Sequence, residues 1–153
     1  MIVDEYLTEV QKPKVNAPTF AYYVLYGKMP SPPIRGREVS HPTKKINGID
    51  IDKNIPDISI KTIMGMSKLE TTSSCEGKDK RHPTFLIIRL MDRNERASKT
   101  FVDKMNKLDK IKCGYDIGQG GLPRICVTWF TWNGHPDFNK WWKELPSKIK
   151  NSL

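Results

Sequence analysis

From Asn54 onward the apolar positions fall into two periods, and the alternation between them lays out the chain. Ile55, Ile58, Ile63 and Met66 recur at helical spacing, with Asn54 placed to cap and Pro56 and Asp57 suited to a first turn, which predicts a helix over about 55–66. Asp92 and Glu95 have capping-box spacing, and Ala97, Phe101, Met105 and Leu108 then mark one face of a second helix ending near Leu108. Phe138, Trp141, Trp142 and Leu145 predict a third that begins near Pro136 and is interrupted at Pro146. Between them, 69–75 and 84–90 are short β-branched or apolar runs that read as a hairpin with a charged connection. Ile111, Cys113, Tyr115 and Ile117 alternate, and 124–131 is apolar on both faces, as a central strand would be. The order is α, then β-β-α twice. It predicts an α+β fold with a mainly antiparallel four-stranded sheet and helices on one face. At a constant offset Pro83 matches Pro123, Phe85 matches Ile125, Ile87 matches Val127, Phe101 matches Trp141 and Met105 matches Leu145, which suggests a pseudo-repeat.

The first part of the chain has no such period. Pro13, Pro18, Pro30, Pro32, Pro33 and Pro42 exclude a continuous helix, and Phe20 to Tyr26 is the one stretch that reads as a strand. The expected division is therefore a proline-rich, aromatic arm over 1–45 and a single α+β domain over 46–153. Tyr6, Phe20, Tyr22, Tyr23 and Tyr26 imply that the arm packs on the domain or on a protein partner.

Composition adds a sign to this outline. The 153 residues carry a formal charge of +9, and 76–112 contains eleven Lys or Arg against six acids. Such a local excess favours RNA or another polyanion as partner, because each neutralised phosphate releases bound cations. Cys75, Cys113 and Cys126 are odd in number and form no C-x-x-C pair, and no basic-then-apolar leader is visible, so reduced thiols and a cytoplasmic location are expected. The longest apolar runs, such as 85–88, are too short to span a bilayer, and no membrane role is expected.

Candidate chemistry concentrates in Thr71-Thr72-Ser73-Ser74-Cys75-Glu76-Gly77 and the basic loop after it. In a strand, Thr71, Ser73 and Cys75 share a face, and Gly77 permits a positive φ at which turn amides converge on an anion. Lys78, Lys80, Arg81 and His82 would supply phosphate-binding charge, with Glu76 paired to Lys78 or Arg81. The plainer account is a polar strand followed by an ordinary turn. Trp129 and Trp132 offer stacking surfaces for bases if one sheet face is open, and Lys99, Lys104, Lys107, Lys110 and Lys112 form either a solvated or an RNA-contacting face. Cys75, His82 and Cys113 lack a metal clamp's spacing, so no metal site is expected. His41, His82 and His135 each precede proline, which biases them toward extended backbone at turns and boundaries. No catalytic residue is identifiable.

The segment from Lys44 to Gly77 resembles the N-terminal signature of the tRNA wybutosine-synthesis methyltransferases. That signature is a K-G-x-V-D element, a helix, and T-T-S-S-C-S-G-R, against Lys44, Gly48 and Asp50 in KKINGIDID and TTSSCEGK here. The departures are Glu76 for the family's serine and Lys78 for its arginine. The resemblance implies an α+β fold, S-adenosylmethionine as methyl donor, a modified guanosine in tRNA as substrate, and Asp50, Ser73, Ser74, Cys75 and Gly77 as ligand-binding positions. The alternative is a non-enzymatic interaction or inhibitor protein, of viral or mobile-element type, acting through its basic face and arm.

Overall fold

The computed structural model describes residues 15–117 and 121–153. Its elements are α1 (Ala17–Tyr26), a 3-10 turn (Gly36–Val39), β1 (Thr43–Ile46), β2 (Ile49–Asp52), α2 (Asp57–Met64), β3 (Leu69–Cys75), β4 (Phe85–Leu90), α3 (Glu95–Met105), β5 (Lys112–Ile117), β6 (Pro123–Thr128) and α4 (Phe138–Ser152). The fold is α+β: β1 and β2 form a hairpin, and the other four strands form one antiparallel sheet in the order β3-β4-β6-β5. β4 and β6 are central and read as continuous apolar runs, as strands buried on both faces do.

Strand alternation sorts the sheet's side chains into two cores. Leu86, Ile88, Tyr115, Ile125 and Val127 pack with Ile60 and Ile63 of α2, Phe101, Val102 and Met105 of α3, and Trp141, Trp142, Leu145 and Ile149 of α4. The three helices expected from the β-β-α pattern therefore share one face. Phe85, Ile87, Cys75 and Cys126 point the other way, onto Phe20, Ala21 and Val24. This second face is closed by α1, a helix where the sequence predicted a strand over Phe20 to Tyr26. Asn16 caps α1 by accepting from the Thr19 amide at 2.9 Å, Pro18 sits in its first turn, and Gly27 at φ 74 ends it with a bond to the Tyr23 carbonyl. Arg124 holds the helix down: it makes a bidentate pair with fully buried Asp116 at 2.7 and 2.9 Å, reaches the Val15 carbonyl at 3.0 Å and stacks on the Phe20 ring.

Other expectations shift in the same way. β1 is Thr43–Ile46 and pairs with β2, so the expected boundary after residue 45 cuts a hairpin. Asn94, not Asp92, caps α3, accepting from the Ala97 amide at 3.0 Å. α4 runs through Pro146; the missing hydrogen bond is offset by Trp142, Leu145 and Ile149, all fully buried along one stripe. The matched strand positions of the pseudo-repeat lie on opposite faces, since Phe85 and Ile87 meet α1 whereas Ile125 and Val127 meet the main core, so only the helical matches hold. Tyr6 and Pro13 of the arm, and Gly118 to Gly120 of the glycine loop, lie outside the described residues. Among those residues no helix is long and apolar enough to cross a membrane.

Candidate functional site

The predicted site residues separate into two environments along β3 and the loop that follows, and a third environment lies at the other end of the strand. The first is a cleft of about 210 Å³ lined by Ile49, Asp50 and Ile51 of β2, Ile60 of α2, and Thr71 to Ser74. A register shift between Thr71 and Ser73 marks a bulge in β3, which brings Thr71 to Ser74 together along the cleft instead of alternating cleanly. Ser73 and Ser74 have no side-chain hydrogen bond among the described residues, and Asp50 pairs with Lys45 at 2.8 Å. Three of the five family-matched positions, Asp50, Ser73 and Ser74, thus meet at one place.

Cys75 and Gly77 do not. Both are buried at the end of β3, where Glu76 forms the centre of a polar knot. Its carboxylate accepts from the Asn54 amide at 3.1 Å, from Asn54 Nδ2 at 3.1 Å and from Asn133 Nδ2 at 3.0 Å, while its own amide donates to Asp52 Oδ2 at 2.8 Å. Asn54, expected to cap α2, is held here instead. The expected partners Lys78 and Arg81 play no part, because three neutral donors already satisfy a carboxylate that is only 3% exposed. Asp52 is pushed up from the usual carboxylate range, first by burial and against the pull of the Glu76 amide. Burial pushes the Cys75 thiol up to about 12, so it is protonated and a poor nucleophile in this structure; Cys113, also at about 12, and Cys126 are raised by the same cause.

Gly77, at φ 74, is required by contact as well as by conformation. A Cβ there would lie 2.6 Å from the His82 carbonyl oxygen and 2.6 Å from the Thr84 nitrogen. The turn closes through the Lys78 amide to the His82 carbonyl at 2.9 Å. The Gly77 amide reaches Cys75 Sγ at 3.4 Å and the His82 amide donates to the Asp79 carbonyl at 3.0 Å, so these amides are engaged within the protein. The basic loop beyond it serves chiefly as a latch on the N-terminal segment. Arg81 donates to the carbonyls of Pro32 and Pro33 at 2.6 and 3.2 Å and lies 3.5 Å from Glu38. His82 is buried with Nδ1 at 2.7 Å from Asp79 and Nε2 at 2.9 Å from Glu38. Tyr26 donates to the Lys80 carbonyl. Of the loop's cations, Lys78 and Lys80 stay exposed. The expected anion-binding turn at Gly77 and the phosphate-binding charge of Lys78, Lys80, Arg81 and His82 are therefore not assembled as one unit with the cleft at Ser73 and Ser74. Nor is either sheet face open: Trp129 packs against the main core and Trp132 lies edge-on to His135 at 4.8 Å.

The third environment was missed as a site. A cleft of about 750 Å³ opens at the far end of β3 and β4, between the α2–β3 connection, the start of α3 and the end of α4. Leu90, Ala97 and Phe101 give it an apolar floor, and Lys68, Arg96 and Lys104 rim it together with Asn94, Thr100 and Asp92. None of the three cations has an acidic partner among the described residues. The signal was present in the spacing of Arg96, Thr100 and Lys104, four residues apart on one helix stripe. Of the lysines expected to form a basic face, Lys104 belongs to this cleft, Lys99 and Lys107 are exposed nearby on the chain, and Lys110 lies 3.9 Å from Asp137.

No family model, no curated protein and no solved structure matches the chain.

Proposed function

We propose that the protein binds single-stranded RNA through the cleft between Lys68, Arg96 and Lys104, without itself catalysing a reaction. The observation that carries this reading is the placement of three uncompensated cations around an apolar floor of Leu90, Ala97 and Phe101. An unpaired nucleotide has that same division, with phosphates outward to meet the rim and a base inward to meet the floor. The chain's +9 charge supplies long-range attraction in the same sense. Fluorescence anisotropy of a labelled oligouridine over a range of potassium chloride concentrations tests it. Replacing Lys68, Arg96 and Lys104 by alanine should weaken binding and flatten the salt dependence of log K by about 2, at about 0.7 for each phosphate no longer neutralised. Exposed side chains of this kind should leave stability within about 0.5 kcal/mol each. Unchanged affinity and slope in a folded triple variant would refute the assignment.

Methyl transfer is a second reading, favoured by the convergence of Asp50, Ser73 and Ser74 on one cleft. That cleft, about 210 Å³, is below the roughly 300 Å³ at which sites for drug-sized ligands begin. Calorimetric titration with S-adenosylmethionine separates the two: saturable binding lost on Ser73→Ala with Ser74→Ala would favour the methyltransferase relationship.

A further inference from the structure

His41 stands just ahead of β1, Asp52 ends β2 and Cys75 ends β3, yet one potential ligand atom from each lies within 4.8 Å of the other two. The juxtaposition is fixed by backbone. The Lys53 amide donates to the Pro42 carbonyl at 2.9 Å, which extends the β1–β2 pairing past Thr43 and Asp52 to the residue beside His41. The Glu76 amide, next to Cys75, donates to Asp52 at 2.8 Å and ties the hairpin to the end of β3. Within this frame His41 is anomalous. Its side chain is 11% exposed, Nε2 is buried without a hydrogen-bond partner, and Nδ1 comes no closer than 3.7 Å to the Glu76 carboxylate. Buried ring nitrogens ordinarily find partners, so an imidazole with one left unsatisfied, on a residue that also brings a ring nitrogen within 4.8 Å of the Asp52 carboxylate and the Cys75 thiol, calls for a cation.

We propose that His41, Asp52 and Cys75 form a binding site for a thiophilic divalent transition ion, zinc foremost. One sulfur, one imidazole nitrogen and one carboxylate oxygen make a donor set that disfavours magnesium and calcium, which take oxygen ligands, and suits zinc. Tetrahedral zinc sets its ligand atoms about 3.3–3.6 Å apart, so groups that lie within 4.8 Å of one another need close by no more than about 1.5 Å. Binding displaces the Cys75 thiol proton to solvent, leaving a thiolate–metal bond in its place. Three protein ligands leave a fourth position for water or a substrate atom. Glu76 is not a fourth ligand, since Asn54 and Asn133 occupy its oxygens; it contributes its negative charge from behind His41.

Titration of the metal-free full chain with cobalt(II) tests the site, because a thiolate ligand produces an intense near-ultraviolet charge-transfer band. The expected result is a band that saturates at one cobalt per chain and is abolished by added zinc. Cys75→Ser should remove it, and Cys113→Ala should keep it. His41→Ala, ahead of β1 and outside both hydrophobic cores, should leave the chain folded and weaken binding at least about tenfold. Absence of a saturable band in the unaltered protein, its persistence in Cys75→Ser, or an unchanged affinity in folded His41→Ala would each overturn the proposal.

Discussion

The β3–β4 pair has two ends built on opposite terms. At the Cys75 and Phe85 end, charged and polar groups are answered one by one: buried Glu76 by two asparagines, buried His82 by Asp79 and Glu38, half-buried Arg81 by two proline carbonyls. At the Leu69 and Leu90 end, Lys68, Arg96 and Lys104 surround a cleft with nothing assigned to them. Both ends draw on the same basic stretch of sequence. A count of positive residues therefore locates attraction only after the cations engaged in holding the fold have been set aside; here Arg81 and His82 of the conspicuous loop are structural, whereas Arg96 and Lys104 of α3 have no acidic partner among the described residues.

If the contrast is right, substitutions at the first end should disturb folding and those at the second only binding. The largest effect is expected from Gly77→Ala. A methyl group 2.6 Å from two backbone atoms, at a φ that L residues rarely adopt, forces the turn apart, and a loss of about 4 kcal/mol or outright failure to fold should be seen by urea denaturation. Next comes Glu76→Ala. It leaves the Asn54 amide and the side chains of Asn54 and Asn133 without their acceptor, for a loss of about 3 kcal/mol by the same measurement. A loss under about 0.5 kcal/mol, as expected for Lys68→Ala, would erase the distinction between the two ends.

The α+β fold was legible because its helices and strands differ in period and because β4 and β6 are apolar without interruption. α1 was misread although the sequence carries its start and stop: Asn16-Ala17-Pro18 is a cap with proline in the first turn, and Gly27 is the terminator. Its aromatic and β-branched residues favoured a strand, and the need to cover the second sheet face overrode that preference. The phase error in the pseudo-repeat has a similar origin, since an offset that aligns helices need not preserve which side of a pleat a residue faces. At the site, the sequence singles out Thr71 to Gly77, but the segment's division between a cleft and a polar knot depends on Asn54, Asn133, Asp52 and His41, which are distant in sequence and carry no local signature.

The mildest test of the structural end concerns Glu38. It accepts from the Arg35 amide at 3.0 Å and faces His82 Nε2 at 2.9 Å, and these bonds, the amide first, hold its carboxyl at about 2 against an ordinary 4.5. A carboxyl more acidic when folded than when unfolded stabilises the folded state fully above its unfolded value and loses that contribution as pH falls toward the folded one. The melting temperature of the unaltered protein should therefore exceed that of Glu38→Gln by a constant margin above about pH 4.5, and the margin should shrink between 4.5 and 2. Because Glu38 is near the surface, added salt should narrow the margin as well. A margin that ignores both acid and salt would mean that packing, not charge, fastens the N-terminal segment to the basic loop, and that Arg81 and His82 are freer for a ligand than their hydrogen bonds imply.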